Sequence, residues 1–366
     1  MPKLLLTSVG SLVGQALLDC LDDRRSGWTV VGTNLLATPA GLYRCDRVHR
    51  APPADDAERW IDFHAQLAAA DAFDLVVPCR DDDVLLLARW KARGGPQADR
   101  LLAGPQALAQ ALVDKADYAA WARTQGLPFA PTVLGGEGDA VGAAGALLQA
   151  HGVLVAKPRR GHGSLGVRLL STAAQVEAAA SDPTLVLQPG LDLHPAWITL
   201  RAQQAAAPTL GLPLWAEVPE TTLYGVQALI DPQGRVDGHF AYRATQVAGR
   251  PAGAVPWPDA DLEALGLQHA TALAAAGWRG PCNVQAKRDE QAGWHVIEVN
   301  GRFTGLTHAR RRLGFDEVGR TLRQWVGPGA LPEDRPVRQD GHVDGAHWVA
   351  DDDVRRLAQT GVWNAA

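Results

Sequence analysis

The sequence is poor in cysteine, and its few cysteines follow no disulfide or metal-binding pattern. The four residues, Cys20, Cys45, Cys79 and Cys282, are widely spaced and form no Cys-x-x-Cys pair. Histidines do not alternate with them at the spacing that zinc sites use. We therefore expect buried free thiols, which are usual in proteins of a reducing compartment.

Long apolar runs are absent as well. No stretch of roughly 18 consecutive apolar residues occurs, and a membrane-spanning helix needs about that length. The N-terminus resembles a secretory signal because a lysine precedes an apolar run, but Gly10 and Gly14 interrupt that run. No small-residue cleavage site follows closely. We therefore expect a cytoplasmic protein with no membrane partner.

Neither sign of charge is in large excess, and two hydrolase motifs are missing. The formal net charge of −5 provides no basic field for nucleic acid. Neither Gly-x-Ser-x-Gly nor His-Glu-x-x-His occurs, so nothing indicates serine-hydrolase or zinc-hydrolase chemistry. With 366 residues, of which 46% are hydrophobic and 20% charged, the composition is that of a soluble globular protein of two or three domains.

The N-terminal segment alternates strand-like and helix-like stretches. Lys3–Thr7, Trp28–Thr33 and Phe73–Pro78 are predicted strands with helical spacing between them, which favours a parallel, doubly wound sheet. The turn Ser8–Gly14 departs from the Gly-x-Gly-x-x-Gly pattern, and Asn34 stands where a dinucleotide site needs an acid. We therefore interpret the glycines as allowing tight packing of a helix on a strand.

Three consecutive aspartates, Asp81–Asp83, follow the third predicted strand. Their position suits a helix N-terminus, where the helix dipole favours negative charge. The run is interpreted as a solvated helix start, with the alternative that it borders a substrate cleft.

A glycine-rich stretch, Val153–Leu170, predicts a strand, a loop and a second strand. Lys157 ends the first strand, and three glycines bracket His162 and Ser164 in the loop; they are Gly161, Gly163 and Gly166. Glycines let backbone N–H groups approach phosphate oxygens closely, and a lysine adds a positive charge. A Walker A motif is excluded because the lysine precedes the glycines. The stretch predicts either a flap over a nucleotide or an ordinary hairpin turn.

The stretch 281–305 predicts a β-hairpin with a polar face. Alternation along the second strand places Val296, Glu298 and Asn300 on one face. A turn of about four residues would place Gln285 opposite Glu298, with Arg302 just beyond. Oxygen ligands beside an arginine suit Mg²⁺ that carries phosphate. The alternative is the solvated end of a hairpin.

In this order, the segments resemble the ATP-grasp superfamily, in its carbamoyl-phosphate-synthase-like branch. The resemblance covers most of the chain and is carried by Lys3–Gly14, Asp114-Lys115, Lys157-Pro158 with Gly161–Val167, Gln188, Arg243, Asn283–Gln285 and Glu298–Phe303. It implies an α/β (α+β) fold with a Rossmann-like pre-ATP-grasp domain and two subdomains that grip ATP. We expect the pre-ATP-grasp domain at 1–104 and a small ATP-grasp subdomain at 105–190, which contains the flap 157–167. A large ATP-grasp subdomain is expected at 191–366, with the hairpin 281–305 and the C-terminal segment.

The resemblance also implies residue roles. Lys115 and Lys157 would hold the α/β-phosphates, the flap residues Gly161, His162, Gly163 and Ser164 would cover the β/γ-phosphates, and Gln188 would mark the adenine hinge. Glu220, with Asp192 as its competitor, would contact the ribose. Gln285, Glu298 and Asn300 would bind Mg²⁺, or alternatively Mn²⁺. Arg302 and Arg243 would be the catalytic cations at the γ-phosphate and the acyl phosphate.

The implied reaction is an ATP-dependent, ADP-forming ligation of a small carboxylic or amino acid to an amine through an acyl phosphate. Two departures from the family stand out: Asn300-Gly301-Arg302 replaces Asn-Pro-Arg, and the segment 190–219 is longer than usual. The second suggests specialised biosynthesis. The alternatives are a ligase or kinase with another nucleophile, a non-catalytic nucleotide-binding module, and an NAD-dependent Rossmann dehydrogenase. Small molecules are the expected partners, and a homodimer stays open.

Overall fold

The structure is a computed structural model that describes residues 1–21, 24–161, 163–193, 212–213, 220–247, 250–289, 293–331 and 351–364. Its described strands form three sheets of five strands each. The strands are β1 Lys3–Leu6, β2 Thr29–Asn34, β3 Arg47–Arg50, β4 Leu75–Val77, β5 Val133–Leu134, β6 Leu154–Pro158, β7 Arg168–Leu170, β8 Leu185–Pro189, β9 Leu212–Pro213, β10 Glu220–Ile230, β11 Val236–Val247, β12 Arg250–Pro256, β13 Gly280–Asp289, β14 Gly293–Asn300 and β15 Val362–Asn364. The predicted mixed α/β fold class is confirmed.

Eleven α-helices are described. They are α1 Leu12–Leu21, α2 Ala57–Ala70, α3 Asp81–Arg93, α4 Gln106–Val113, α5 Lys115–Thr124, α6 Ala140–His151, α7 Ala173–Ala180, α8 Ala260–Ala275, α9 Thr307–Arg312, α10 Glu317–Trp325 and α11 Asp351–Thr360. Within the described residues, none of the helices has both the length and the apolar character that crossing a membrane requires. All four cysteines are buried free thiols, as predicted.

The first sheet is the predicted parallel one, with strand order β15-β3-β2-β1-β4. Strand β1, which lies between β2 and β4, is buried along most of its length, and Leu4, Leu5 and Leu6 are at most 2% exposed, as expected for a parallel sheet covered on both faces. A Cβ atom at Gly14 would lie 2.3 Å from the carbonyl oxygen of Val9. This glycine therefore allows α1 to pack tightly on the turn after β1, as the sequence predicted. The C-terminal strand β15 pairs antiparallel with β3 and completes this sheet.

The second sheet, with strand order β5-β8-β6-β7-β9, is antiparallel and contains the glycine-rich stretch. β6 pairs with β7, so the predicted strand, loop and strand are confirmed. Helices α6 and α7 pack together on this sheet and share a small apolar core with its strands. The loop between β6 and β7 therefore extends from an anchored pair of strands.

The third sheet, β12-β11-β10-β13-β14, contains the predicted hairpin. Gln285 faces Glu298 and Asn283 faces Asn300, which confirms the predicted register. The prediction for Val296 was wrong. A β-bulge shifts the register so that Ala286 pairs with Val296, and neighbouring residues of a strand point to opposite faces. Val296 is therefore 0% exposed in the core, on the face opposite to Glu298.

Candidate active site

A cavity of about 710 Å³ is lined by residues of all three sheets and their connections, and we call it the cleft. The first sheet contributes the turn before α1 and Asp81 at the start of α3. Most of the predicted site residues line the cleft; they are Lys115, Lys157, Gly161, Gly163, Ser164, Gln285, Glu298, Asn300 and Arg302. Residues that are far apart in the sequence are thus brought to one cavity.

The hairpin forms one wall of the cleft. On β13 the alternating residues Asn283, Gln285 and Lys287 all line the cavity. Glu298 and Asn300 line it from β14, opposite Gln285 and Asn283. Because of the bulge beside Ala286, Glu298 and Asn300 lie on the cleft face of β14, whereas Val296 of the same strand faces the apolar core. The wall thus holds one carboxylate and three amide side chains, a set of oxygen donors that suits a hard divalent cation.

Lys115 reaches this wall from the first turn of α5. Its Nζ atom lies 3.6 Å from Oε1 of Glu298 and donates to the carbonyl oxygen of Gly161 over 3.3 Å. The helix begins here because the carboxylate of Asp114 accepts hydrogen bonds from the backbone N–H groups of Ala116 and Asp117. The N-cap thereby fixes where Lys115 enters the cleft.

Arg159 secures the same corner, and the sequence did not indicate this role. Its Nε atom lies 3.1 Å from both carboxylate oxygens of Asp114, and its carbonyl oxygen accepts the backbone N–H of Lys115 over 3.0 Å. The start of α5 and the root of the glycine-rich loop are therefore held together. A basic residue after Lys157 was visible in the sequence, but its partner lies 45 positions away.

Lys157 is almost completely buried, at 9% exposure. Its Nζ atom donates to Oε1 of Gln188 over 2.7 Å. Burial lowers the pKa of Lys157 to about 8; Glu298 opposes this shift, and Lys115 and Lys287 add to it. The ammonium is thus held in place but poorly solvated, so an anion in the cleft would stabilise its charged form.

Gln188 is the partner of Lys157, and its side chain is 1% exposed. Its amide nitrogen donates to Oγ1 of Thr132 over 3.0 Å. The side chain therefore orients Lys157 from behind the cleft wall, whereas Pro189 and Leu191 beside it line the cleft. The adenine contact predicted for this hinge stays a prediction.

The glycine-rich loop forms a second wall. Its backbone is left-handed at Gly163, Ser164 and Gly166, with φ of 62°, 56° and 73°. A serine in this region is uncommon, and such strain concentrates at functional sites. A Cβ atom at Gly166 would lie 2.9 Å from Cγ of Pro158, so this position also needs glycine for space. His162 lies outside the described residues.

Arg302, at the end of the hairpin wall, forms a bidentate ion pair with Asp81. Nε and Nη2 of Arg302 each lie 2.7 Å from a carboxylate oxygen of Asp81. Nη2 also donates to Oδ1 of Asn300 over 3.4 Å. Asp81 begins α3 and lines the cleft, so of the two interpretations of the aspartate run the structure favours the cleft border at this residue.

Asp83, two residues further along α3, has a different position. It is 1% exposed and accepts hydrogen bonds from the hydroxyl groups of Thr7 and Ser8 and from the backbone N–H of Cys79. Burial raises the pKa of Asp83 to about 6, and these hydrogen bonds oppose the shift. Asp83 therefore ties α3 to the end of β1.

Arg243 is placed differently from the other predicted catalytic residue, Arg302. On β11, Tyr242 and Ala244 line the cleft, and Arg243 between them points to the other face. The guanidinium carbon of Arg243 lies 5.1 Å from the centre of the Trp257 ring. Glu220 begins β10, but its side chain lies outside the described residues. Its competitor, Asp192, lines the cleft with a left-handed backbone at φ 48°.

Comparisons with known proteins identify the fold. No protein-family model and no curated protein matches the chain. Among solved structures, N5-carboxyaminoimidazole synthetase from Staphylococcus aureus is similar at a TM-score of 0.62 and 12% identity, covering 89% of this chain and 77% of that chain. The biotin carboxylase domain of Hydrogenobacter thermophilus 2-oxoglutarate carboxylase, solved with MgADP and bicarbonate, is similar at 0.61 and 16% identity, covering 89% and 69%.

A third solved structure, L-amino acid ligase from Bacillus licheniformis, is similar at a TM-score of 0.53 and 16% identity, covering 82% of this chain and 67% of that chain. Identities of this size show a shared fold. All three proteins are ATP-grasp enzymes. The chain therefore has the ATP-grasp fold.

Proposed function

We propose that the protein is an ATP- and Mg²⁺-dependent carboxylate–amine ligase that forms ADP and proceeds through an acyl phosphate. The observation that carries the proposal is the composition of the cleft. Two lysines, a strained glycine-rich loop, an oxygen-rich sheet face and a fixed arginine all line one cavity. Phosphoryl transfer depends on positioning and charge neutralisation, and these groups supply both.

The nucleotide phosphates are proposed to bind between the hairpin wall and the glycine-rich loop. Lys115 and Lys157 provide positive charge there, and the left-handed residues of the loop allow backbone N–H groups to turn toward phosphate oxygens. Asp192 is the better-supported ribose contact because it lines the cleft, and Glu220 stays the alternative. The similar carboxylase domain solved with MgADP supports a nucleotide in this fold.

Mg²⁺, with Mn²⁺ as an alternative, is proposed to bind at Gln285, Glu298 and Asn300. The fit is adequate because all three side chains offer oxygen, and Mg²⁺ normally takes one or two carboxylates together with substrate phosphates. The ion would neutralise charge on the phosphates. Lys115, 3.6 Å from Glu298, is close enough to share the same phosphate.

The acid substrate is proposed to lie toward Arg302 and the turn before α1, at the end of the cleft beside Asp81. The carboxylate oxygen attacks the γ-phosphorus, the bond to ADP breaks, and the nitrogen of an amine then displaces phosphate from the acyl carbon. Arg302, oriented by Asp81, stabilises the developing charge. The glycine-rich loop excludes water, which would otherwise hydrolyse the acyl phosphate. The similar L-amino acid ligase supports a small carboxylic or amino acid as the substrate. We further propose that the reaction is cytoplasmic and belongs to specialised biosynthesis, and the long segment 190–219 supports the second point.

The test measures ADP release with Mg²⁺ over a panel of amino acids and small carboxylic acids. Each acid is paired with amines and, separately, with hydroxylamine, which traps an acyl phosphate as a hydroxamate. We expect ADP and hydroxamate with at least one acid, and a loss of about 10²-fold or more in Glu298→Ala. The matched control is Glu263→Ala, because Glu263 belongs to α8 and pairs with His239 outside the cleft.

Each alternative predicts a different result. AMP and pyrophosphate as products would refute the acyl-phosphate mechanism. MgADP binding without turnover over the whole panel would favour a non-catalytic nucleotide-binding module. Hydroxamate formation without coupling to any amine would favour another nucleophile. Tight NAD binding without ATP dependence would favour a dehydrogenase.

A further inference from the structure

Lys287 lines the cleft, and the proposed function gives it no role. It lies on β13, two residues after Gln285, and its side chain is only 17% exposed. Its Nζ atom donates to the carbonyl oxygen of Thr222 and lies 3.9 Å from Oδ2 of Asp192. A buried ammonium directed into a cavity costs solvation energy, so this position calls for an explanation.

The strand β13 fixes the position of Lys287 relative to the rest of the site. Side chains on one face of a strand are about 7 Å apart, so Asn283, Gln285 and Lys287 mark three successive points along the cleft. Asn283 faces Asn300, next to Arg302, and Gln285 faces Glu298. Lys287 therefore lies at the end opposite to Arg302, about 7 Å beyond the proposed metal ligands.

The surroundings of Lys287 differ from those of Lys115 and Lys157. Two apolar residues that line the cleft adjoin the partners of Lys287: Leu223 follows Thr222, and Leu191 precedes Asp192. Asp192 supplies a carboxylate beside them. Apolar walls with a few placed polar groups are typical of sites for the organic part of a ligand, so this end suits a nucleobase and its sugar better than a phosphate chain.

We propose that Lys287 is a specificity-determining residue that donates a hydrogen bond to the nucleoside half of the bound nucleotide. This inference rests on the proposed function, because that function orients the phosphates toward Gln285 and Glu298. An ammonium can only donate, so its target is an acceptor, either a ring nitrogen of the base or a sugar oxygen. Asp192, which can only accept when ionised, complements it by binding sugar hydroxyl groups.

The test compares two ligands by titration calorimetry, MgADP and magnesium pyrophosphate, which share the phosphates but not the nucleoside. Lys287→Met keeps the length of the side chain and removes the charged donor. A hydrogen bond from a charged group contributes enough that we expect the Kd for MgADP to rise about tenfold or more. We expect the Kd for pyrophosphate to stay within about twofold.

Two further variants separate this role from a structural one. Lys91→Met is the matched control, because Lys91 is a partly buried lysine that donates to the carbonyl oxygens of Leu101 and Ala103 outside the cleft. It should change neither Kd. Lys287→Arg retains a donor and should recover part of the affinity for MgADP.

The outcomes distinguish this inference from the function on which it rests. If wild-type protein does not bind MgADP, the proposed function fails. If wild type binds and Lys287→Met binds MgADP equally well, the inference about Lys287 is wrong and the proposed function stands. The inference is also wrong if the variant loses MgADP and pyrophosphate to the same extent, since Lys287 would then act on the phosphates or on folding.

Discussion

The two walls of the cleft are built in opposite ways. The hairpin wall is a pair of strands whose backbone hydrogen bonds hold Gln285 opposite Glu298 and Asn283 opposite Asn300. The loop wall is a short connection with left-handed residues, in which Val167 donates to the carbonyl oxygen of Ser164 over 3.2 Å. The hairpin wall is thus fixed by the hydrogen bonds of a sheet. The backbone of the loop wall is less restricted, because glycine readily adopts conformations that other residues rarely adopt.

This difference suggests a division of labour. Groups that stabilise developing charge act best when they are already oriented, because no reorganisation is then needed during the reaction. The sheet face of the hairpin wall holds its side chains in such a fixed orientation. It carries the proposed metal ligands, and Arg302 follows its last strand. Capture of the substrate and exclusion of water require a part that moves. Substitutions in the hairpin wall should therefore change kcat most, and substitutions in the loop wall should change KM most.

The largest expected effect is at the fixed wall, in Arg302→Met. The variant removes the cation that we place at the transferring phosphoryl group, so we expect kcat to fall by about 10²- to 10³-fold. We expect the KM for ATP to change much less, because the contact matters most in the transition state. Steady-state kinetics of ADP release measures both quantities.

Arg302→Met leaves Asp81 without this partner, so its control must separate catalysis from folding. The double variant Asp81→Asn/Arg302→Met removes both charges and should be equally inactive, with a melting temperature close to that of wild type. The matched control is Arg320→Met, which removes a half-exposed arginine outside the cleft. In the wild type this arginine pairs with Asp237 at 3.2 Å. If the double variant regained activity, Arg302 would have no part in the chemistry.

The next effect concerns pH and the lysine between the two walls. Burial lowers the pKa of Lys157 to about 8, so it is charged below that pH and neutral above it. Phosphate binding needs the charged form. Between pH 7 and pH 9 the affinity for MgADP should therefore fall roughly tenfold, as the protonated fraction falls. Calorimetry at several pH values measures this decrease.

Lys157→Arg is the control for that profile. Arginine stays charged over the whole range, so the affinity of this variant should depend little on pH between 7 and 9. An unchanged slope in Lys157→Arg would show that another group is responsible for the pH dependence.

A smaller effect is expected at the loop wall, in Gly166→Ala. The residue has φ 73°, and the added Cβ would lie 2.9 Å from Cγ of Pro158. The left-handed conformation costs a residue other than glycine about 1–2 kcal/mol. We therefore expect the KM for ATP to rise about five- to tenfold, with kcat affected less.

The comparison for Gly166→Ala is Gly145→Ala, in α6, where an added Cβ meets nothing within 4 Å. That change should leave KM unaltered and stabilise the protein by about 0.5–1 kcal/mol. A loop that is only a hairpin turn would give the opposite result for Gly166→Ala, with a lower melting temperature and an unchanged KM.

Local features of this site could be predicted from the sequence. The pairing of Gln285 with Glu298 was predicted from alternation and a turn of about four residues. Nearer the turn, Asp289 pairs with Gly293, which is one residue off that register, and the β-bulge restores the predicted pairing at Gln285. The bulge that turns Val296 into the core could not be predicted in this way. It depends on how β14 packs against the rest of the sheet, and one extra residue reverses every later side chain.

Contacts between distant segments could not be predicted either. Asp81 and Arg302 are 221 positions apart, and Asp114 and Arg159 are 45 apart. Each of these four residues is an ordinary charged residue in its own segment. Their pairing depends on the packing of the three sheets, so the sequence could mark Asp81 only as a helix start with a cleft border as the alternative.

The smallest expected effect tests the remaining catalytic prediction, Arg243. It belongs to the same sheet as the fixed wall, but its guanidinium lies over Trp257 on the face away from the cleft. If the hairpin wall acts only through side chains that its strands direct inward, Arg243→Met should keep kcat within about threefold of wild type, a change that one exposed contact can account for. Parallel kinetics with Arg302→Met checks this difference. A loss as large as that of Arg302→Met would mean that Arg243 turns into the cleft when substrate binds, and the sheet wall would then be less fixed than its register implies.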